Sequence, residues 1–459
     1  MRVKLILCLL LATLSQQAAG VTFKQINYSA DSLLEKGNLT KITRKHPWLA
    51  GLEVVGFNIG LNYFNKFFRG NPEWTHVTLN SIKRNVTQSY WKWDGDSLHD
   101  NAFRHPVHGS VLYMIARANG MNMLESSLYS LGGSWMWEIF CESQRPSIND
   151  MVFTSVGGVT IGEVAWRTGK SWLGIISKKY RHFKPTVPFS TSLTIGYRHL
   201  KSPDHQAANT AMATLDITYG DMFDSEHTGP FDYFEASGTL TVWQKEFPIS
   251  MARIDHQLLS RSVIDKPNQK VVWGLYNHFD YYFASGLQPL EDKMPSSLSY
   301  SEVGAIGPGI AYRVGNRVSW EQQAYFNGIM MGAMSKHSYH PGSREYSFGS
   351  GYGARLYSKL TVGSWLKLGV RAQFSQLFTW DGFYEDNGWK SPSVPSIQGE
   401  TGNAVTTILE PSLELKPIKN FSLVCNGRYM HTHNNYKYHP HGSISAWEWQ
   451  VGLKYGIEL

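Results

Sequence analysis

The chain has 459 residues, of which 14% are aromatic and only 17% charged, with 42 glycines; soluble domains carry about 25% charged residues. Its formal charge of +7 is not gathered into a Lys/Arg run, which excludes nucleic acid as a partner. The length leaves room for two or three domains.

Residues 1–20 read as a secretory signal: Arg2 and Lys4, an apolar stretch from Leu5, and a small-residue end at Ala18, Ala19 and Gly20. The apolar stretch is too short to span a bilayer. Cys8 falls inside it, which leaves Cys141 and Cys425 as two separate apolar thiols. Residues 21–45 are polar and aperiodic, a flexible leader.

Residues 46–180 are expected to form a helical domain. A first helix spans 47–68, opened by Pro47. It holds Glu53, Asn58, Asn62 and Asn65, which are costly in lipid, so it is no clean membrane helix. A second helix is expected over 106–119, with Pro106 at its first position and Gly120 just past its end. A third runs over 122–142. A fourth begins at Ser147, where Ser147 and Asp150 stand as cap and third residue. The tract 84–100 is expected to be irregular or strand.

After Lys184 helical spacing gives way to alternation. Phe189, Leu193, Ile195 and Tyr197 alternate with Ser190, Ser192, Thr194, Gly196 and Arg198. Leu366, Leu368, Val370 and Ala372 alternate with Lys367, Gly369 and Arg371 in the same way. Such runs are half-buried strands. About twelve are expected, starting near 187, 209, 232, 248, 271, 299, 317, 345, 364, 404, 420 and 444, a spacing that suits membrane strands with their connections. Connections after even-numbered strands should be short periplasmic turns, as around Gly315-Asn316, Gly363 and Lys419-Asn420. Connections near 245–247 and 260–270 fit this rule less well. The long aromatic and acidic connection 380–403 has a composition shared by glycan-binding loops and by surface loops without a ligand.

In the last strand Trp447, Trp449, Val451, Leu453, Tyr455, Ile457 and Leu459 form one apolar face, opposite Glu448, Gln450, Gly452, Lys454, Gly456 and Glu458. The stretch Trp447–Leu459 resembles the C-terminal signal strand of outer-membrane barrels, which implies the barrel-assembly machinery and outer-membrane lipid as partners. The expected fold class is α+β: an N-terminal helical domain followed by an antiparallel transmembrane β-barrel of about twelve strands over 185–459. The helices are expected at the periplasmic mouth or inside the lumen.

Candidate functional residues concentrate between Asn101 and Glu163. His105-Pro106 with Gly109, Ala116-Arg117, Ser134, Trp137-Glu138, Glu142, Pro146-Ser147 with Asn149-Asp150, and Gly162-Glu163 resemble an uncharacterised bacterial envelope family, the domain-of-unknown-function family 3943. That resemblance covers about residues 90–165 and implies an envelope protein with a helical domain, without a reaction or a substrate. Read from the residues, Ser134, Glu138 and Glu142 fall on one helical stripe between Trp135 and Trp137. A carboxyl buried there would serve as a general acid or base, with His105 as a base or ligand and Arg117 as an anion clamp. The alternative is structural: both carboxylates pair with Arg117 and fix helix register. Asn101, His108, Ser134, Asn149, Asp150 and Glu163 are candidate binding residues, and Asn149 and Asp150 also suit a helix start. The stripe Asp150, Thr154, Gly158, Gly162 predicts close helix packing.

No complete phosphate-loop, nucleophile-elbow or metal motif is present, so no metal or cofactor is expected. The expected function is binding, structural or gated transport by a barrel with a helical plug or cap. The alternative is an outer-membrane enzyme acting on lipid or envelope glycan through Glu138, Glu142 and His105.

Overall fold

The computed structural model describes residues 45–87, 91, 96–176, 187–242, 249–284, 288–289, 298–335, 346–379, 402–437 and 441–458. The signal, almost all of the leader and most of the 380–403 connection lie outside the described residues. So does the 243–248 connection.

Helix α1 (Pro47–Phe68) carries Pro47 in its first turn. Its buried stripe is Ala50, Val54, Asn58, Asn62 and Asn65, spaced by three or four. The tract from 84 proves more helical than its sequence promised. Helix α2 covers Leu79–Thr87, started by a reciprocal cap in which Thr78 N donates to Ser81 Oγ and Ser81 N donates to Thr78 Oγ1. Ser97 then caps the next helix, accepting from Asp100 N at 3.2 Å.

That helix does not begin at Pro106. A widened π-type turn, Asp100–Arg104, leads straight into α3 (His105–Ala118). Proline has no N–H and collides with the carbonyl four residues back, and the wider turn absorbs both defects. Gly120, at φ +84°, ends α3 as expected.

Helix α4 (Met123–Met136) has Asn122 and Glu125 as a capping box and runs into a second widened turn, Trp137–Cys141. Ser147 caps α5 (Ile148–Val152) by accepting from Asp150 N. A third widened turn, Phe153–Gly157, joins α5 to α6 (Gly158–Ile176). The small-residue stripe is used as expected. A Cβ on Gly158 would stand 2.6 Å from the Gly109 Cα, so only glycine lets α3 and α6 cross this closely.

Among the described residues twelve long antiparallel strands follow. They are β1 (Phe189–Ser202), β2 (His205–Tyr219), β3 (Phe234–Val242), β4 (Ile249–Lys266), β5 (Gln269–Ala284), β6 (Leu298–Gly315), β7 (Val318–Ser335), β8 (Tyr346–Val362), β9 (Leu366–Thr379), β10 (Gly402–Ile418), β11 (Phe421–Tyr436) and β12 (Gly442–Glu458). Strand β1 pairs with β2 and also with β12, from Ser190↔Glu458 to Lys201↔Trp447, which closes the ring. A two-residue bridge, Gln288–Pro289, pairs with the start of β2.

The turns at 267–268, 316–317, 363–365 and 419–420 share one rim, the periplasmic one by the short-turn rule. The connection expected over 260–270 is only Pro267-Asn268, because β4 continues to Lys266. At the same rim, residues 228–233 of the 220–233 connection run along β4, where Phe231 N donates to the Gln257 carbonyl, and Met222 and Phe223 turn into the lumen. Phe223 packs there with Tyr276, Tyr325 and Tyr357, and Arg313 lies over its ring at 4.1 Å.

Alternation sorts the strand side chains. In β1, Leu193, Ile195 and Tyr197 are exposed outward, while Arg198 is buried in the lumen against Glu448 at 2.8 Å. Toward the far rim, Tyr282, Tyr300, Ile329, Met334, Ile408 and Met430 join one contiguous apolar core across the lumen. Below it lies a belt of cross-lumen ion pairs.

The helices dock on the outside. In β5, His278 and Asp280 point inward to Asp255 and Arg253, so Asn277, Phe279 and Tyr281 point outward. Those outward positions meet the helices. Asn277 Nδ2 donates to Thr160 Oγ1 at 3.4 Å, His99 Nδ1 lies 3.1 Å from the Tyr281 hydroxyl, and Phe279 shares a core with Phe153, Ala102 and Leu98. The expected placement in the lumen or at its mouth is thus replaced by one on the outer wall. An apolar layer and an ion-pair belt of the barrel's own side chains already cross the lumen, and the outer face of β3 to β7 offers Phe234, Ile254, Phe279, Val303 and Met331 as a complementary apolar wall.

Candidate functional site

Three helical pieces bring seven polar residues together. The turn before α3 supplies Asn101 and α3 supplies His105. The turn after α4 supplies Glu138. The start of α5 supplies Ser147, Asn149 and Asp150, and the widened turn beyond it Thr154. Asn149 Nδ2 donates to Asn101 Oδ1 at 2.7 Å and to Asp150 Oδ1 at 3.0 Å. Ser147 Oγ donates to Asn149 Oδ1, and Ser147 N donates to Glu138 Oε2, both at 2.8 Å. His105 lies between two partners, with Nδ1 3.1 Å from Thr154 Oγ1 and Nε2 3.4 Å from Asp150 Oδ1. Six of the seven are buried, and His105 nearly so. The set is a hydroxyl–imidazole–carboxylate chain in a dry interior, chemically able to hold or relay a proton.

The predicted Ser134, Glu138, Glu142 stripe is broken by the widened turn. Glu142 leaves the helix in an extended conformation and accepts from Trp137 Nε1 at 2.6 Å. Ser134 is buried beside it in α4, and its hydroxyl has no hydrogen-bond partner among the described residues.

Arg117 does not pair with Glu138 or Glu142. It points from the end of α3 across to α6, where its Nε lies 3.0 Å from Glu163. The fully buried Glu163 also accepts from the Tyr113 hydroxyl at 2.6 Å and from Arg167 Nε at 2.9 Å. Arg167 continues to Asp232 of the barrel at 3.1 Å, tying α6 to the periplasmic rim. Burial and the Glu163 carboxylate push the Tyr113 phenol up, so it stays protonated as a donor.

His108 faces away from His105. Its Nε2 lies 2.8 Å from Asn58 Oδ1, and its ring stands edge-on to Trp137 at 4.9 Å between centroids. Burial, with His105 adding to it, pushes its imidazole down to about 3, so it is neutral. Among the described residues no three His, Cys, Asp or Glu side chains converge as a metal-ligand set.

Asn58, Tyr113, Thr154 and Arg167 were missed as members of these networks. The Asn58, Asn62, Asn65 spacing carried the signal: polar residues in an apolar helix mark the face turned to protein. The barrel holds a second candidate site that was not foreseen. A cavity of about 370 Å³ lies in the lumen near the short-turn rim, lined by Asp216, Glu235, Arg253, Arg371, Glu414 and Lys454 among others. Its walls are the inward, polar positions of the alternating strands.

No curated protein sequence matches the chain. Solved structures similar to it include an outer membrane channel from Pseudomonas putida F1, at 8% identity over 60% of this chain and 97% of that one, with a TM-score of 0.30. The outer membrane phospholipase A from Escherichia coli matches at 11% identity over 57% of this chain and 89% of that one, with a TM-score of 0.26. OmpT of Vibrio cholerae matches at 8% identity over 59% and 97%, with a TM-score of 0.25. A closed strand ring with a polar lumen belt and an apolar outer face is the form in which strands span an outer membrane. The chain is accordingly an integral outer-membrane β-barrel with an N-terminal helical segment. Residues 90–185 match the family model described as Domain of unknown function (DUF3943), and the barrel strands follow that match.

Proposed function

We propose that this protein has a binding or structural role in the outer membrane, as a sealed barrel that holds its helical domain against its own outer wall. The observation that supports it is the apolar layer of Tyr282, Tyr300, Ile329, Met334, Ile408 and Met430, which joins strands from opposite sides of the lumen. Solute passage would require this layer to part, which makes any transport gated. Purified protein in planar bilayers should carry no steady current, whereas a variant with Tyr300→Ala, Ile408→Ala and Met430→Ala should leak. A steady ohmic current through the wild type would overturn the reading. Trp447–Leu459 serves in this reading as the strand presented to the barrel-assembly machinery. Its support is the exposed face of Trp447, Trp449, Val451, Leu453 and Tyr455.

The second reading, lipid or envelope-glycan chemistry in the helical domain, is supported by His105 standing between Thr154 and Asp150. Against it, Arg117 and Glu142 are turned to Glu163 and Trp137. Mass spectrometry of outer-membrane lipids from cells with wild type, no protein, His105→Gln or Glu138→Gln tests it. A lipid species made only by the wild type, with both variants normally inserted, would establish the chemistry. Identical profiles would remove it.

A further inference from the structure

Two helices of the helical domain turn polar residues inward and large apolar ones outward. On α1 the buried stripe includes Asn58, Asn62 and Asn65, while Trp48, Leu52, Val55, Ile59, Tyr63 and Phe67 are exposed. Trp48 keeps 88% of its surface and Leu52 70%. Helix α4 repeats the inversion: Ser126, Ser130 and Ser134 are buried, while Leu124, Leu128, Leu131 and Trp135 are exposed. In water a surface helix shows the opposite arrangement.

The two helices lie side by side and point the same way. Lys45 pairs with Glu125 at their starts, Asn58 Nδ2 donates to the Gly133 carbonyl midway, and Asn62 Nδ2 donates to the Cys141 carbonyl further on. No charged residue occurs between Val54 and Asn65 on α1, or from Ser126 to Trp137 on α4. Their exposed sides therefore form one apolar surface with charge only toward its ends. No described helix is long and apolar enough to cross a membrane by itself.

What covers that surface follows from where the domain sits. It is docked on outward strand positions, and the same outward face is exposed and apolar on both sides of the dock. Trp273 and Leu259 flank it on β5 and β4, and Phe326 and Met330 flank it on β7. Those flanking positions belong to the face that an outer-membrane barrel turns to lipid. The apolar surface of α1 and α4 continues that face.

We propose that the exposed face of α1 and α4 is immersed in the acyl-chain layer of the outer membrane, with the Asn and Ser stripes turned to the domain interior. The helical domain is then an intramembrane annex of the barrel. Lipid covers its outer face, and its His105 and Glu163 networks are shielded from water by the bundle itself.

The test uses the protein reconstituted in phospholipid vesicles, with Cys141 and Cys425 replaced by alanine and a nitroxide on one introduced cysteine at Leu52→Cys, Ile59→Cys or Leu128→Cys. Leu193→Cys on the barrel belt is the lipid reference and Lys201→Cys near a rim turn the aqueous one. Power saturation with oxygen and with a water-soluble nickel complex reads the surroundings. The three helix labels should favour oxygen as Leu193→Cys does. Preference for nickel, as at Lys201→Cys, would overturn the proposal. Protection from both reagents would also overturn it, because protein, such as a second copy, would then be the cover. Should the variants fold poorly, the unmodified protein in vesicles containing a diazirine phospholipid gives the same answer. Photolabel on residues 47–68 and 123–136 is expected, and label confined to the barrel strands would defeat the idea.

Discussion

Arg253 on β4 and Glu410 on β10, 157 residues apart in sequence, meet across the lumen at 2.6 Å. Arg253 also holds Asp280 at 2.9 Å, and Glu410 also holds Arg428 at 2.6 Å. Removing one member of such a set strands its partners as buried charges. Glu410→Gln should destabilise the barrel by about 3–5 kcal/mol. The readout is the temperature at which the folded form is lost in a heat-modifiability gel. An unchanged temperature would mean that water, rather than the ion pairs, satisfies the lumen belt.

Close crossing of α3 and α6 depends on two glycines. A Cβ on Gly109 would stand 1.7 Å from the Thr154 carbonyl oxygen, and Gly158 is nearly as tight. Gly109→Val should force the helices apart, at a cost above the roughly 1–3 kcal/mol typical of overpacking. Limited proteolysis should cut the helical segment of this variant faster while the barrel keeps its folded migration.

Low pH should loosen the helical domain before the barrel. The folded His108 imidazole is held down to about 3, whereas an unfolded one titrates near 6.5. The unfolded state therefore binds more protons as pH falls below about 6.5, and stability is lost progressively toward pH 3. His99, also pushed down to about 3 by burial and by Arg104, acts in the same direction. Once the intrinsic slowing of amide exchange in acid is divided out, hydrogen-exchange protection across residues 98–141 should fall, an effective acceleration, between pH 7 and pH 4.5. His108→Gln should remove part of that acceleration.

Glu163 gathers Tyr113, Arg117 and Arg167 in a buried cluster. Glu163→Gln leaves two guanidinium groups without their shared counter-charge and should cost about 3 kcal/mol or more. Tyr113→Phe removes one hydrogen bond and should cost about 1 kcal/mol. Comparing the chemical denaturation of the helical segment in the two variants separates charge compensation from simple hydrogen bonding. Equal losses would contradict the cluster as described.

Much of the barrel was legible along the chain. The twelve expected strand starts each fall within four residues of an observed one, and the turns at 316, 363 and 420 stand where glycine and asparagine marked them. The helix ends were less legible at Pro106, because a widened turn lets a helix run through a residue that normally starts one. Helix α2 was missed although Thr78 and Ser81 carry its cap. The candidate residues divided in two. Asn101, His105, Glu138, Asn149 and Asp150 share one network, whereas Arg117 and Glu163 form another, and Glu142 and His108 face Trp137 from separate positions.

The sequence by itself determined which strand side chains face the lumen and which face outward. That division follows from the two-residue repeat of an extended backbone and needs no knowledge of neighbours. It also determined the polar stripe of α1, through the spacing of Asn58, Asn62 and Asn65. Only the tertiary structure decided that Arg253 finds Glu410, because cross-lumen partners depend on closure and stagger of the whole ring. Only it decided that the helices lie on the outer wall. The helix stripes show which face is turned to protein, but that protein surface exists only once β3 to β7 have assembled Phe234, Ile254, Phe279 and Met331 into one wall.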